Sequence, residues 1–259
     1  MGILNVTPDS FSDGGNFFRP EDILRQADRM VSEGADLLDI GGESTRPFSE
    51  PVSEEEELRR VIPAIAAIRK KISIPISIDT TKASVAKQAI AAGADIINDI
   101  SALARDTDMV TVARQATCPL IIMHMQGNPK TMQIAPSYTD VVAETFSFLQ
   151  HRVGWLREQG ITNTIIIDPG IGFGKTVNHN LSLLKNIERF RPLGCPVLIG
   201  HSRKSFIGKL LDLQIDERDE ATAILSALAA MAGASILRVH DVGRTVKAVR
   251  LARALMEAP

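Results

Sequence analysis

Ile165-Ile166-Ile167-Asp168-Pro169-Gly170 is an apolar, β-branched run that stops at a carboxylate and turns at once into a glycine-rich loop. Seven other stretches share this pattern of an apolar run with a polar end: Gly2-Ile3-Leu4-Asn5, Leu37-Leu38-Asp39, Ile76-Ser77-Ile78-Asp79, Ile96-Ile97-Asn98, Leu120 to His124, Val197 to His201 and Ile236 to His240. Parallel strands covered on both faces are continuously apolar, because helices pack against them from outside. Between the runs the spacing changes to that of helices. Ile23, Leu24, Ala27, Met30 and Val31 make an i, i+3, i+4, i+7 stripe, and Leu58, Ile62, Ile65 and Ile68 make another behind Ser53-Glu54-Glu55-Glu56. That tetrapeptide predicts a capping box with acidic residues in the first helical turn. Further helices are expected over about 82–92, 107–116, 139–159, 179–190, 219–232 and 243–257. Gly34-Ala35, Gly93-Ala94 and Gly233-Ala234 sit where a helix end needs positive φ before the next strand.

Strand and helix alternate eight times with no break in composition, which predicts one (β/α)₈ TIM barrel over residues 1–259. An open doubly wound sheet is the competing arrangement. The length suits a barrel, which needs about 250 residues, and 44% hydrophobic residues supply the core. A formal charge of −2 gives no footprint for a nucleic-acid partner. No secretory leader and no membrane span are expected, so the chain reads as cytoplasmic. Cys118 and Cys195 each open an apolar strand before a proline and read as free, buried thiols of a reducing compartment.

Function should sit at the carboxyl ends of the strands. The stretches Thr7 to Pro20, Gly41 to Val52 and Met125 to Ser137 are long and polar and all follow strands, as on an active-site face. Asp39, Asp79, Asn98 and Asp168 end strands two, three, four and six. One such Asp is commonly a helix cap; four acceptors in one mouth either meet a flat, donor-rich ligand or bind a divalent metal. Amide and carboxylate beside Lys204 favour a heterocycle with an amino-amidine edge, since a metal cage uses more carboxylate. Ser202-Arg203-Lys204-Ser205 and Arg238-Val239-His240-Asp241 follow strands seven and eight, where this fold often holds phosphate. Arg238 and His240 share one side of a strand and could grip an anion; the alternative for Arg238 is a structural pair with Asp241 or a neighbouring helix. Asp168 to Lys175 is not a Walker loop, because only three residues separate Gly170 from Gly174. Its glycines would let a planar ligand approach the backbone. The five histidines show no metal-site spacing, and no nucleophilic triad is indicated.

In this order the motifs resemble those of the dihydropteroate synthase family. The resemblance runs from Met1 to about residue 250 and rests on Met1 to Gly15, Asp39-Ile-Gly-Gly-Glu-Ser-Thr-Arg-Pro47, Asp79, Asn98-Asp99-Ile100, His124 to Asn128, Asp168 to Lys175, Ser202 to Ser205 and Arg238 to Asp241. It implies condensation of 6-hydroxymethyl-7,8-dihydropterin diphosphate with 4-aminobenzoate, giving 7,8-dihydropteroate and diphosphate for folate synthesis, in an enzyme targeted by sulfonamides. It further implies that Asp79, Asn98, Met123, Asp168, Phe173, Gly200 and Lys204 bind the pterin. Asn5, Arg46, Arg238 and His240 would bind the diphosphate, with Asn5 on a Mg²⁺ cofactor. Thr45, Arg46, Pro47 and Ser205 would meet the aminobenzoate, and Lys204, Asp168, Arg238 and His240 would carry catalysis. A homodimer packed through the late helices is implied as well. Arg238→Ala would then weaken the diphosphate substrate and spare a pterin without diphosphate. Alternatives are a corrinoid-type methyltetrahydrofolate methyltransferase domain and a non-catalytic pterin-binding paralogue. The chain departs from the family pattern at Phe48-Ser49, where Gly-Ala is common, at Ile171, where an aromatic is common, and at His201, where an apolar or small residue is frequent.

Overall fold

The computed structural model describes residues 1–7, 20–44, 49–128 and 130–259. Eight short parallel strands carry the predicted runs: β1 Gly2–Asn5, β2 Leu38–Gly41, β3 Ile76–Asp79, β4 Ile96–Asp99, β5 Leu120–Met123, β6 Ile165–Asp168, β7 Leu198–Ile199 and β8 Ile236–Leu237. Strands β1 to β6 pair in sequence order, and β7 pairs with β8. Single bridges, Ile167 to Val197 and Gly2 to Val239, join the two sheets into a closed ring. Closure rules out the open doubly wound sheet, and the (β/α)₈ barrel stands.

Nine α-helices are found among the described residues: α1 Pro20–Ser32, α2 Glu54–Arg69, α3 Ala83–Ala92, α4 Met109–Ala116, α5 Val141–Glu158, α6 Val177–Lys185, α7 Ser205–Leu211, α8 Asp219–Met231 and α9 Val242–Glu257. The expected helix over 179–190 divides into α6 and a 3₁₀ segment, Ile187–Leu193, interrupted at Asn186. Ser53 does cap α2, accepting from the Glu56 amide at 3.2 Å, but the box is incomplete. The Glu56 carboxylate turns instead to the Arg59 and Arg60 guanidinium groups. Gly34, Gly93 and Gly233 take φ of 99°, 112° and 100°, as their place at helix ends requires.

Period-two alternation along the strands divides the interior into layers. Outward residues such as Leu38, Ile40, Ile76, Ile78, Ile97, Ile122, Ile167 and Ile199 join the helices in the main core. Inward residues Leu37, Ile96, Ile121, Ile166 and Leu198, with Met1 and Ile236 against them, form a separate apolar plug inside the barrel. Two residues further along the same strands lie Asp39, Asn98, Met123, Asp168, Gly200 and Arg238. Plug and polar layer are thus successive inward positions of one set of strands, and the plug is the base on which the polar layer rests.

Candidate active site

The polar layer is held together by charge. Arg238, after β8, donates from Nε to Asp39 Oδ2 at 2.5 Å and from Nη2 to Asp79 Oδ2 at 2.7 Å. Asn98 donates its amide to Asp39 at 3.3 Å. Asp39 is fully buried, a position tolerable for a carboxylate only with such partners. Arg238 therefore pairs across the barrel, not with Asp241, which instead caps α9 by accepting from the Arg244 amide at 2.8 Å. Burial works against the Arg238 charge, but Asp39 and Asp79 outweigh it and hold the guanidinium protonated. Burial pushes Asp79 above the ordinary carboxylate range, with Asp39 and Glu57 adding to that and Arg238 opposing it.

Asp168 ends β6 and accepts the Gly170 amide at 2.7 Å. Burial lifts its carboxyl to about 6, against the pull of that hydrogen bond and of Lys204 and Arg238. Gly200 leaves the space beside it open, since a Cβ there would lie 3.6 Å from Asp168 Oδ2. Ile100, Met123, Met132 and Phe173 form an apolar cluster of their own on this face. Lys204 lays its ammonium over the Phe173 ring, 3.9 Å from the centroid.

The glycine-rich loop corrects one expectation. Gly170, Gly172 and Gly174 have φ of 72°, 82° and 61°. A Cβ on Gly170 would lie 1.9 Å from the His124 carbonyl oxygen, and one on Gly174 would lie 2.6 Å from that of Gln126. One on Gly172 would strike Lys204 Cδ at 2.7 Å. These glycines make room for the protein's own chain, not for a ligand. Lys175 closes the loop, reaching His124 Nδ1 at 3.0 Å and the Phe173 carbonyl at 3.0 Å. Burial brings its ammonium down to about 7 and His124 to about 3. Sequence reasoning missed this pair; a lysine ending a glycine-rich run was its only local sign.

Cationic and hydroxyl side chains gather after β7 and β8. Ser202 Oγ accepts the His240 amide at 3.1 Å and lies 2.9 Å from His240 Nδ1. Burial, with Arg203 and Arg238 nearby, takes His240 down to about 3, so the ring is neutral at pH 7. Arg203 adopts φ 56° and is locked to Asp219 by bonds of 2.6 and 2.7 Å. Lys204 is the N-cap residue of α7 and Ser205 opens that helix, exposed. Asn5 ends β1 on the same face. Thr45, Arg46, Pro47 and Phe48 lie outside the described residues. The departure at His201 has a structural account: the ring is buried, with Nε2 3.0 Å from both the Thr222 carbonyl and Ser226 Oγ, fastening the strand end to α8.

A cavity of about 590 Å³ opens beside this layer, with Ile100, Met123, Met125, Asn128 and Phe148 among its walls. Asp168, Asn98 and Arg238 are not among its walls. Among the described residues no group of three or more His, Cys, Asp or Glu could cage a metal. The single amide oxygen of Asn5 suits Mg²⁺, which commonly keeps its waters and binds through one protein group and substrate phosphates. Cys118 and Cys195 are free but only half-buried, less enclosed than expected, and burial raises both thiols.

The class of this closed parallel barrel, with acceptors on its floor and cations after the last two strands, is given by the profile of a family described as pterin binding enzyme, which matches residues 1–240. The chain belongs to that family. Its relatives within the family include dihydropteroate synthases: that of Synechocystis sp. is 49% identical over 98% of this chain and 89% of its own length. A Yersinia pestis dihydropteroate synthase, solved with a sulfonamide drug, superposes with a TM-score of 0.94 at 43% identity, covering 99% of this chain and 94% of that one. A Xanthomonas albilineans dihydropteroate synthase in complex with 7,8-dihydropteroate gives 0.90 at 43% identity, covering 100% of this chain and 93% of that one. The activity is accordingly that of a transferase, dihydropteroate synthase.

Proposed function

We propose that this polar layer carries out the condensation of 6-hydroxymethyl-7,8-dihydropterin diphosphate with 4-aminobenzoate, releasing diphosphate and forming 7,8-dihydropteroate. The observation that carries the residue roles is the single layer in which Asp79, Asn98 and Asp168 face the barrel interior beside Lys204 and Arg238. The X. albilineans relative, which binds the same product, supports the ligand assignment.

Asp168 and Asn98 accept from the pterin ring donors and Asp79 from its amino-amidine edge, while Met123 and Phe173 pack against the ring and Gly200 leaves it room. Lys204 approaches the ring over Phe173. Fixing the pterin presents its methylene carbon toward β1, β7 and β8. The carbon–oxygen bond to diphosphate breaks early, leaving a cationic methylene that the electron-rich dihydropterin stabilises. His240 donates from Nε2 to the departing anion, and Arg238 and Arg46 add positive field. Mg²⁺, held by Asn5 and the diphosphate, would neutralise charge on the leaving group when bound. Thr45, Pro47 and Ser205 seat the aminobenzoate, whose amine attacks and then loses a proton to solvent. Positioning and electrostatics carry the rate, so no strong general base is needed.

Incubation of the purified chain with both substrates and Mg²⁺, followed by pyrophosphatase and a phosphate assay, should give two phosphates for each dihydropteroate formed. Methyl transfer from methyltetrahydrofolate to a corrinoid, without phosphate release, would overturn the reading.

The proposed homodimer rests on exposed apolar side chains along the outer face of the late helices: Ile224, Leu228 and Met231 on α8, and Leu251, Leu255 and Met256 on α9. Solitary surface apolar residues need no explanation, but six of them on two packed helices fit a second copy of the chain. No helix among the described residues is long and apolar enough to cross a membrane.

A further inference from the structure

The chain leaves β2 through Gly42, Glu43 and Ser44 and runs straight into the segment assigned above to the second substrate. This stem is gripped from two helices. Gly42 lies so close to α2 that a Cβ on it would meet Val61 Cγ1 at 2.8 Å and Glu57 Cγ at 3.0 Å. Arg60 donates to the Gly42 carbonyl at 2.8 Å. From the other side Lys82, the residue preceding α3, places its ammonium between the carboxylates of Glu43 and Glu57. Ser49 Oγ then donates to the Ser44 carbonyl at 2.6 Å, bringing the far end of the segment back to the stem.

Glu57 is the reason for this arrangement. Its side chain is 1% exposed and one of its oxygens has no partner. A buried carboxylate needs a cation, and Lys82 is the cation that meets it. That demand fixes the Lys82 ammonium in space and leaves it aimed at one further acceptor, Glu43. A charge-assisted bond to a fixed donor restricts the Glu43 side chain, and with it the backbone entering residue 45.

We propose that Lys82, braced by Glu57, is a positioning residue for the stem Gly42–Ser44, from which the chain continues to the residues assigned to the aminobenzoate, acting through Glu43. It touches no substrate. The proposal rests on the reading under which Thr45, Arg46 and Pro47 meet the aminobenzoate.

Glu43→Ala separates the segment from its anchor while leaving the buried Lys82–Glu57 pair intact, so the fold should survive. Expected is a KM for 4-aminobenzoate raised about tenfold, in line with the sensitivity of rate to small misplacements. The Kd for 6-hydroxymethylpterin without diphosphate should stay at the parent value. Lys82→Arg, which can still bridge both carboxylates, should restore most of the aminobenzoate KM lost in Lys82→Met. Amide exchange in the peptide spanning residues 42–52 should quicken in Glu43→Ala, a readout independent of turnover. An unchanged KM with unchanged exchange would overturn the proposal, as would an equal loss of pterin and aminobenzoate binding. Parent turnover tests the synthase reading separately: an inactive parent whose exchange still quickens on Glu43→Ala would reject the assigned substrate and retain the anchor.

Discussion

Two side chains decide the behaviour of the pocket floor, and both can be tested singly. Asp168 has a carboxyl near pH 6 in the free protein, raised by burial, against about 4 for an ordinary Asp. A raised acid holds its proton more tightly folded than unfolded, so its contribution to stability is full below about pH 4 and is lost as pH rises toward about 6. Ligand binding has the opposite sign, because pterin ring donors favour the ionised form. Pterin affinity should therefore fall as pH drops through about 6, and a flat titration between pH 5 and 8 would remove Asp168 from the contact. Asp168→Ala should lower kcat/KM by about 10²–10³, the loss of two hydrogen bonds to a charged group. Arg238 reads differently with its partners known. The sequence suggests an anion grip that spares pterin binding when removed. Bonded to Asp39 and Asp79, however, Arg238 also neutralises the floor. Arg238→Ala strands buried carboxylates and should cost about 3–5 kcal/mol in denaturant unfolding. It should also weaken a pterin lacking diphosphate; normal affinity there would show the floor to be independent of Arg238.

Elements were legible in the sequence to the extent that their signal is local. Helices α1, α2, α3, α8 and α9 announce themselves by spacing and end residues, and each strand by its apolar run. Helix α7 spans only Ser205–Leu211, too short for an amphipathic stripe, so only its position after β7 hinted at it. The glycine-rich loop shows the limit of local reading. Its glycines are visible, but whether they clear space for ligand or for chain depends on His124 and Gln126 after β5, far back in the sequence. Since the chain fills that space, Gly170→Ala should destabilise by more than the ~1–2 kcal/mol of left-handed backbone alone. Chemical denaturation measures this directly, and a near-neutral result would mean that the loop sits away from His124.

For the whole molecule, the barrel followed from counting eight strand–helix units, whereas the partner of Arg238 did not. Asp39 lies 199 positions away in sequence, and nothing in either neighbourhood names the other; closure of the ring brings them together. The residues lining the floor were legible because alternation forces every second side chain inward, so that Leu37 implies Asp39, Ile96 implies Asn98 and Ile166 implies Asp168. Assembly can be tested at the same scale. Leu228→Glu with Leu255→Glu places charge in the proposed dimer stripe and should halve the mass seen by light scattering; an unaltered mass would assign that face to something else.

The ring is fastened unevenly. Six strands form one continuous sheet, while β7 and β8 contribute two residues each and meet their neighbours through one bridge on either side. A barrel so built should open first at these two staves, which lead into Gly200, Arg238 and His240. Bonds from Arg238 to Asp39 and Asp79 act as the hoop, and a ligand spanning the floor tightens it. Backbone amides of the final two strands should exchange with deuterium faster than those of β2 to β5 in the free protein, and slow most of all once the pterin is seated.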